Sequence, residues 1–440
     1  MDNVADRLAE RIRTGTARFG VIGLGYVGLP LALAAARSGL EVTGFDIDAP
    51  KVAGLEAGRS PLAHIGDAAV AAARASGRFS ATADFARLAE VDAIAICVPT
   101  PLGRHREPDL SFVEATARQI ATTLRAGQLV VVESTTWPGT TREVVKPILE
   151  ATGLRSGTDF FLAYSPERED PGNRDFSTAR IPKLVGGDGE RARDLAAALY
   201  GRFVETVVPV ESCEVAEAAK LTENIFRAVN IALVNELKLV FSAMGIDVHR
   251  VIDAAATKPF GFMPFRPGPG LGGHCIPIDP FYLTWKAHEV GVHTRFIELA
   301  GEINTAMPRW VVERLAEAVD RRFGKGLSAS RILLLGVAYK KNVDDVRESP
   351  AFAIWELLEA RGAEVAFHDP HVTVIPPTRE HAALAGRRSL PLDAATLERF
   401  DAVLVVTDHD AIDWRLVAER ARLVVDTRDR LPPGPNRVAA

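Results

Sequence analysis

Short apolar runs alternate with amphipathic stretches from Phe19 to about Pro209. The segment RFGVIGLG predicts a strand and a turn, YVGLPLALAAARSG predicts a helix that Gly39 closes, and EVTGFDID predicts a second strand. Further strands are expected in VDAIAICVP, QLVVVEST, FFLAYSPE and FVETVVPV. Strands that alternate with helices are typical of a parallel sheet with helices on both faces.

A different pattern begins at Glu211. The segment ESCEVAEAAKLTENIFRAVNIALVNELKLVFSAMG carries apolar residues at helical spacing, with no proline and no glycine before Gly245. This pattern predicts one long helix, the spine of an all-helical middle segment. Its apolar surface is too large for a simple linker, and two explanations stay open: a contact between two subunits, or burial within its own subunit.

After Met307 the alternating pattern returns. The segment RILLLGVAYKKNVDDVRESPAFAIWELLEARGAEVAFHDPH repeats the opening order of strand, turn, helix ended by glycine, second strand and aspartate. Asp369 after EVAF thus corresponds to Asp46 after EVTGF, and DAVLVVTD and ARLVVDTR supply further strands. We therefore expect an α/β fold with two Rossmann-like, doubly wound domains joined by a helical central domain. The expected domains are 1–209, 210–308 and 309–440.

Composition limits the classes of partner. A chain of 440 residues suggests roughly three domains of ~150 residues each. The net charge of −5 gives no basic field for nucleic acid or an anionic membrane. The first residues are charged and helix-periodic, and no apolar run approaches the ~20 residues that span a bilayer. With three scattered cysteines and no CxxC pair, we expect a cytoplasmic protein in a reducing compartment.

The segment GLGYVG has the spacing of a dinucleotide-binding turn. It follows a predicted strand and opens a predicted helix, which is the context that the G-x-G-x-x-G pattern requires. A glycine turn needed only for packing is the alternative. Asp46 ends the second strand, where a carboxylate can bind an adenosine ribose and repel a 2′-phosphate, so NAD is favoured over NADP. The expected cofactor contacts in the turn are Gly23, Gly25, Tyr26, Val27 and Gly28.

The corresponding turn in the last segment has a different composition. GVAYKKNVDDVRESP contains one glycine but three cations, Lys340, Lys341 and Arg347. A single lysine or arginine is usually a solvated surface charge. Three of them after the first strand of a Rossmann-like unit favour a phosphorylated ligand instead.

Five motifs together resemble the UDP-glucose/GDP-mannose dehydrogenase family. They are GLGYVGLPLA, SPER, AEAAKLTENIFRAVNIALVNE, PGPGLGGHCIPIDP and KKNVDDVRESPA, in the family's order from about Phe19 to about Leu431. Within the family the chain is similar to the bacterial UDP-N-acetylhexosamine dehydrogenases. UDP-glucose dehydrogenases typically have serine and lysine where this chain has His274 and Ile278. The resemblance therefore implies a UDP-N-acetylhexosamine substrate, with UDP-GlcNAc preferred and UDP-GalNAc, UDP-ManNAc and UDP-glucose as alternatives.

The resemblance also implies a mechanism. Family members oxidise the C6 alcohol of a nucleotide sugar to a carboxylate with two NAD⁺ and a cysteine, which here is Cys275. The thiolate traps the aldehyde as a thiohemiacetal, and the second oxidation gives a thioester that water hydrolyses. No metal takes part, and a homodimer or a higher homo-oligomer is expected.

Further roles follow from the resemblance, motif by motif. Lys220 and Asn224 are four residues apart and share one helix face. A polar stripe facing water is the alternative, but in the family both residues lie beside the reacting centre and stabilise oxyanions. Asp279 corresponds to the aspartate that orders water, and Glu167 to the glutamate of acid–base work or thioester hydrolysis.

The other expected contacts divide between cofactor and substrate. Thr135 corresponds to the threonine near the cofactor and the catalytic water. Additional cofactor contacts are expected at Lys51, Thr100 and Arg347. Additional substrate contacts are expected at Arg168, Gly272, Gly273 and Lys340, beside Glu167, Lys220 and Asn224.

Two other function classes fit part of the sequence. A β-hydroxyacid dehydrogenase would share the N-terminal domain and the lysine–asparagine pair, but it needs neither the Cys275 loop nor a second Rossmann-like unit. A non-catalytic nucleotide-sugar sensor would not need the reactive set. Cys97 and Cys213 are expected to be structural. The cluster HDPH (residues 368–371) fits a strand end better than a metal site, because no third ligand group is evident.

Overall fold

The structure is a computed structural model that describes residues 4–62, 65–103, 106–168, 179–273, 276–378 and 380–440. It divides into two compact units. The first contains Met1–Glu223 and Phe281–Val292, and the second contains Asn224–Pro280 and His293–Ala440. The three-domain division expected from the sequence stays a prediction.

The first unit is built on one sheet. Its described strands lie in the order β3-β2-β1-β4-β5-β6-β7-β8. All neighbouring pairs are parallel except β6 and β7, which are antiparallel. The strands are β1 (Arg18–Ile22), β2 (Glu41–Phe45), β3 (Phe79–Thr82), β4 (Ala93–Ile96), β5 (Leu129–Val132), β6 (Phe161–Tyr164), β7 (Lys183–Gly187) and β8 (Val207–Pro209).

Helices connect these strands. A 3₁₀ turn spans Phe85–Glu90, and a π-helical turn at Thr141–Val145 leads directly into α6. The α-helices are α1 (Val4–Thr14), α2 (Gly28–Arg37), α3 (Ala49–Glu56), α4 (Asp67–Ala75), α5 (Ser111–Ala121), α6 (Lys146–Glu150) and α7 (Glu190–Tyr200).

Local sequence signals explain the ends of these elements. Helix α2 ends before Gly39, which adopts the positive φ of +94° that a glycine tolerates. The Asp48 side chain caps α3 by accepting a hydrogen bond from the backbone N–H of Lys51. The core beneath the sheet contains the fully buried side chains of Phe19 and Val21 on β1. The glycine turn after β1 is therefore held on a rigid strand.

The helical region begins with the long helix that the sequence predicts, α8 (Cys213–Ala243). This helix starts in the first unit and ends in the second, and α10 also includes residues of both units. Pro308 lies inside α11. The further helices of the region are α9 (Val248–Ala256), α10 (Asp279–Glu289) and α11 (Arg295–Phe323).

The second unit contains a smaller sheet. Its described strands are all parallel, in the order β10-β9-β11-β12-β13. Short 3₁₀ turns span Leu327–Ala329 and Ala382–Leu384. The strands are β9 (Arg331–Leu335), β10 (Glu364–His368), β11 (Ala402–Val405), β12 (Val424–Asp426) and β13 (Arg437–Ala439), and the helices are α12 (Pro350–Ala360), α13 (Ala394–Arg399) and α14 (Trp414–Arg420).

Alternate residues of β9 show that this sheet is covered on both faces. Ile332 and Leu334 belong to the core cluster that α11 and α12 complete. Leu333 and Leu335 point to the opposite face, into the cluster completed by Leu397 of α13 and residues of α14. A parallel strand buried on both faces reads as a continuous apolar run, as RILLL does. The second sheet is therefore doubly wound.

These observations confirm the expected α/β fold with two Rossmann-like sheets and a helical region. The expectation of a fully parallel first sheet is wrong at one position, because β7 runs antiparallel to β6. An antiparallel neighbour needs no helical crossover, so the alternating pattern did not reveal it. Among the helices of the described residues, none combines the length and the low polarity needed to cross a lipid bilayer.

Candidate active site

The glycine turn after β1 has one open side. Gly23 has φ +91°, and a Cβ there would lie 2.5 Å from the carbonyl oxygen of Cys97. A Cβ on Gly28 would overlap the carbonyl oxygen of Gly23. By contrast, no atom lies within 4 Å of a Cβ built on Gly25. Two glycines are thus required by packing, and the third faces free space where a diphosphate can approach the backbone. Tyr26 and Val27, between them, are half-buried.

The Asp46 carboxylate lies directly beside this turn. It accepts hydrogen bonds from the backbone N–H groups of Leu24 (2.9 Å) and Asp48 (3.0 Å), and from the Lys51 ammonium (2.9 Å). Burial alone would raise the pKa of Asp46, but these donors lower it below its usual value. The residue therefore keeps its negative charge at the end of β2, as a ribose-binding carboxylate requires.

Two expected cofactor threonines lie on the same edge of the sheet. Thr100 follows β4 and Thr135 follows β5, and these are adjacent parallel strands. Both residues are half-buried. Since the carboxyl ends of parallel strands meet at one edge, both threonines lie at the edge that also carries the glycine turn.

A buried glutamate that the sequence analysis missed fixes the loop after Thr135. Glu217 on α8 accepts hydrogen bonds from the N–H groups of Gly139 (2.6 Å) and Thr141 (2.9 Å). It also accepts from the hydroxyl groups of Thr141 (2.7 Å) and Thr136 (3.3 Å). This carboxylate lies three residues before Lys220 on the same helix. A glutamate in a predicted apolar helix face was the available signal.

Glu167 and Arg168, the last two residues of the SPER motif, follow β6 at the same sheet edge. The Lys220 ammonium donates a hydrogen bond to the backbone carbonyl of Glu167. Arg168 forms an ion pair with Glu223 at 2.6 Å and donates to the Pro182 carbonyl at 2.7 Å. The structure therefore brings Lys220 to the Glu167 loop, and it uses Arg168 to tie that loop to α8.

Asn224 and Asp279 form a buried pair in the second unit. Asn224 has no exposed surface, and only 2% of Asp279 is exposed. The Asn224 amide donates a hydrogen bond to the Asp279 carboxylate, and Arg227 donates to the Asn224 carbonyl oxygen. Two residues that the sequence places in separate motifs are thus in direct contact, while the contribution of Arg227 was not expected. His274 and Cys275, the expected nucleophile, lie outside the described residues.

The glycines before Cys275 pack tightly against the turn after β9. A Cβ on Gly272 would lie 2.7 Å from the Tyr339 side chain, and one on Gly273 would lie 2.9 Å from its ring. The Gly273 N–H also donates to the Arg347 carbonyl at 3.1 Å. Within the described residues these glycines therefore serve close packing. They place the expected substrate loop beside the segment that carries Lys340.

The cations of that segment have different surroundings. The Arg347 guanidinium forms an ion pair with the Asp345 carboxylate, with a shortest N···O distance of 2.5 Å. Lys341 pairs with Asp410 at 2.7 Å. Lys340 is half-buried. An anionic ligand at this turn would have to compete with Asp345 for Arg347.

Asp369 of the HDPH cluster holds the backbone around the end of β10. The Asp369 carboxylate accepts hydrogen bonds from four backbone N–H groups at 2.7–3.2 Å and from Nε2 of His409 at 3.1 Å. Nδ1 of His409 in turn accepts the backbone N–H of Asn342 at 2.9 Å. Across the described parts of the chain, no group of three histidine, cysteine, aspartate or glutamate side chains is arranged to hold a metal ion.

The two described cysteines lack the features of nucleophiles. Cys213 is buried, and Cys97 packs against the core of the first unit. Burial raises the pKa of both thiols well above the usual value. A thiol that stays protonated is a poor nucleophile, so both fit structural positions.

Three family models match successive parts of the chain. They describe the NAD-binding domain (residues 17–204), the central domain (214–306) and the UDP-binding domain (333–433) of the UDP-glucose/GDP-mannose dehydrogenase family. The open glycine turn with its charged Asp46 fits the first of these descriptions.

Curated proteins and solved structures that are similar to this chain are nucleotide-sugar dehydrogenases as well. UDP-N-acetyl-D-glucosamine 6-dehydrogenase from Pseudomonas aeruginosa is 35% identical over 88% of this chain and 90% of its own length. NDP-N-acetyl-D-galactosaminuronic acid dehydrogenase from Ralstonia nicotianae is 36% identical over 93% of this chain and 95% of its own. The structure of UDP-D-ManNAc dehydrogenase from Pyrococcus horikoshii, 34% identical, superimposes with a TM-score of 0.85 over 95% of this chain and 97% of its own. The chain therefore belongs to the UDP-glucose/GDP-mannose dehydrogenase family, whose members are NAD-dependent oxidoreductases.

Proposed function

We propose that the protein oxidises the C6 alcohol of a UDP-N-acetylhexosamine, with UDP-GlcNAc as the preferred substrate, to the corresponding uronic acid. The observation that carries the proposal is the buried hydrogen bond between Asn224 and Asp279 at the end of the PGPGLGGHCIPIDP ribbon. A buried carboxylate paired with an amide is costly to maintain for stability alone. It suits a site that orders water or stabilises charge during a reaction.

The chemistry divides into three steps. In the first, the C6 alcohol loses a proton and a hydride and becomes an aldehyde. The Cys275 thiolate adds to that aldehyde, and loss of a second hydride converts the thiohemiacetal to a thioester. Water then displaces the thiolate and leaves the carboxylate, so the sugar gives up four electrons in all. Covalent capture prevents escape of the aldehyde between the two oxidations.

NAD, when bound, supplies the acceptor for both hydrides, and two molecules are consumed per sugar. Gly23, Gly25 and Gly28 would approach its diphosphate, with Tyr26 and Val27 lining the turn. Asp46 would bind the adenosine ribose, beside Lys51. Thr100 and Thr135, at the adjacent strand ends, would border the nicotinamide half, and Arg347 completes the proposed cofactor contacts.

The remaining residues hold the sugar nucleotide and the reacting groups. Lys340 would bind the UDP-sugar, and the backbone of Gly272 and Gly273 would lie close to the sugar. Lys220 and Asn224 would stabilise oxyanions, and Asp279 would order the water of hydrolysis. Glu167 would exchange the protons, with Arg168 beside it.

Two observations support an N-acetylated sugar. Relatives at 34–36% identity include enzymes named for UDP-N-acetyl-D-glucosamine, UDP-N-acetyl-D-mannosamine and NDP-N-acetyl-D-galactosaminuronic acid. The sequence also has His274 and Ile278 in place of the serine and lysine typical of UDP-glucose enzymes. UDP-GalNAc, UDP-ManNAc and UDP-glucose are the alternatives that an assay must compare.

The test is a count of NADH per sugar. Purified protein is incubated with excess NAD⁺ and a limiting amount of UDP-GlcNAc, UDP-GalNAc, UDP-ManNAc or UDP-glucose. The total NADH formed is measured when the reaction is complete, and initial rates give kcat/KM. Two NADH per UDP-sugar, with the highest kcat/KM on UDP-GlcNAc, support the proposal. One NADH indicates a simple alcohol dehydrogenase, and none with any of the four indicates a nucleotide-sugar sensor. Either of these results contradicts the proposed reaction.

Cys275→Ala tests the covalent step separately. The variant should form no uronic acid, while it still binds the UDP-sugar in a calorimetric titration. Cys213→Ala is the matched control, since that thiol is buried in the first unit. Acid formation by Cys275→Ala at the normal rate would show that no thioester is formed.

We also propose that the subunits associate through α8. Phe226, Leu233 and Val240 are spaced seven residues apart on this helix and are 47%, 50% and 42% exposed. Such a stripe of large apolar side chains suits a helix-to-helix contact between two copies. Light scattering of the purified protein should give at least twice the chain mass of 47.4 kDa, and Leu233→Glu should reduce it.

A further inference from the structure

We propose that Lys183 is a positioning residue for Glu167: its buried ammonium, shared with Glu133, holds the Glu167 carboxylate in place. The inference rests on the proposed function, because Lys183 would act only through Glu167. Neither Lys183 nor Glu133 belongs to the motifs that the sequence analysis selected.

The position of Lys183 is unusual for a lysine. It is the first residue of β7, and only 5% of its side chain is exposed. Its Nζ lies 2.5 Å from Oε2 of Glu133, 3.2 Å from the Pro166 carbonyl oxygen and 3.6 Å from Oε2 of Glu167. A buried ammonium is costly unless acceptors surround it. Lys183 thus bridges the ends of β5 and β6 at the sheet edge that carries the expected site.

The two carboxylates differ in access to solvent. The Glu133 side chain is fully buried and accepts a second hydrogen bond from the Tyr200 hydroxyl. The Glu167 side chain is 13% exposed and lies farther from the ammonium. Glu133 is therefore the fixed counter-ion. Glu167 is the carboxylate that a substrate or water can reach.

Other contacts fix the backbone around Glu167. Lys183 donates to the Pro166 carbonyl, and Lys220 donates to the Glu167 carbonyl. The Arg168 N–H donates to Oε1 of Glu167 at 2.6 Å. One carboxylate oxygen thus meets a backbone donor and the other faces Lys183. Loss of the lysine should displace one end of the carboxylate while the loop stays attached to α8.

Charge balance gives the proposal a distinctive signature. Among the described residues, the titratable groups around Lys183 are Glu133 after β5, Glu167 after β6, Tyr200 of α7 and Cys97 after β4, with Lys220 of α8 on the adjacent carbonyl. Without the Lys183 charge, two carboxylates would face each other, and protonation of Glu167 would become easier. Without the Glu133 charge, Lys183 would attract Glu167 alone, and its protonation would become harder. The two substitutions therefore predict opposite shifts.

The experiment measures pH profiles of kcat on the full-length enzyme with its best UDP-sugar. Lys183→Met should lower kcat by ~10–100-fold and change KM for the UDP-sugar less than about threefold. It should also shift the acid limb of the kcat profile to higher pH by about one unit. Glu133→Gln should move the acid limb downward. Lys183→Arg should restore most of kcat. Tyr200→Phe, which removes a hydrogen bond but no charge, is the matched control and should leave the limb in place.

The outcomes separate this inference from the proposed function. If the wild type forms no NADH, both fail. If it forms two NADH per sugar, but Lys183→Met and Glu133→Gln keep the wild-type limb or shift it in the same direction, only the role of Lys183 is refuted. If Lys183→Met does not fold, as judged by circular dichroism, the direction of the Glu133→Gln shift decides.

Discussion

The two Rossmann-like sheets place an aspartate at the same position and use it differently. Asp46 follows β2 and accepts hydrogen bonds from two backbone N–H groups and from Lys51. Asp369 follows β10 and accepts from four backbone N–H groups and from the fully buried His409. A carboxylate with that many donors in its own chain has little capacity left for a ligand. Equivalent positions in similar folds therefore need not share a function.

Two buried lysines, one in each unit, also differ in their surroundings. In the first unit Lys183 is surrounded by Glu133 and Glu167. In the second unit the ammonium of Lys238 lies over the Trp310 ring at 5.2 Å, and no described group forms a hydrogen bond with it. Burial and the nearby Arg428 lower the pKa of Lys238 to about 7. The charge of Lys183 is thus stabilised by its carboxylate partners, while the charge of Lys238 destabilises the folded protein.

The largest effect is expected from Asp369→Asn. The amide keeps one acceptor oxygen but faces several of the four N–H groups with its own N–H₂ group. Loss of these contacts should lower the free energy of unfolding by ~3–5 kcal/mol, measured by urea denaturation. Asp46→Asn is the matched control and should cost about 1 kcal/mol or less, because Lys51 is partly exposed and water can solvate it. Equal losses in the two variants would remove the contrast between the aspartates.

The second prediction concerns Lys238→Met. The folded-state pKa of about 7 lies below the ordinary lysine value, so the destabilisation by Lys238 is fully present below pH 7 and fades as pH rises toward ~10.4. Methionine should therefore raise the free energy of unfolding at pH 7 by up to ~4 kcal/mol, with a smaller gain at pH 9.5.

Lys183→Met serves as its control. It leaves the buried Glu133 and the partly exposed Glu167 without their cation and should destabilise the protein at pH 7. Urea denaturation of both variants at pH 7 and 9.5 gives the answer. A loss of stability in Lys238→Met would show that an anionic group pairs with this lysine.

The third prediction uses Asp46→Asn as a probe of cofactor choice. Removal of the carboxylate charge removes the repulsion of a 2′-phosphate. It also releases the Lys51 ammonium, which lies 2.9 Å from the Asp46 carboxylate in the wild type, to attract that phosphate. The ratio of kcat/KM for NAD to that for NADP should fall about tenfold or more, equivalent to ~1.4 kcal/mol. Asp369→Asn should leave this ratio unchanged. An unchanged ratio in Asp46→Asn would argue against the ribose contact.

The smallest effect is expected from His409→Gln. The histidine joins Asp369 to the N–H of Asn342, two residues after Lys340, and glutamine can replace only one of the two contacts. KM for the UDP-sugar should rise ~3–10-fold with kcat nearly unchanged, measured in steady-state assays. A fall in kcat with constant KM would instead place His409 in the reacting centre.

Much of the architecture was predictable because it is local. The apolar runs RFGVI and RILLL gave strands, the glycines at 39 and 362 gave helix ends, and the uninterrupted helical pattern gave α8. Strand β7 was missed, because KLVGG carries a lysine and two glycines instead of a continuous apolar run and its antiparallel pairing depends on the neighbouring strand. The glycine turn with Asp46 was recognisable for the same local reason, since spacing along one βαβ unit determines it.

The fold class, the dinucleotide-binding turn, the long helix and the family's motifs can be recognised from the sequence alone. The contacts between polar groups that are distant in sequence depend on the tertiary structure: Asn224 with Asp279, Glu217 with the loop after Thr135, and Lys183 with two glutamates. It also showed that Asp369 is occupied by its own backbone and His409. The physical reason is that periodicity and turn chemistry act over a few residues. The cost of a buried charge is met instead by partners that are distant in sequence.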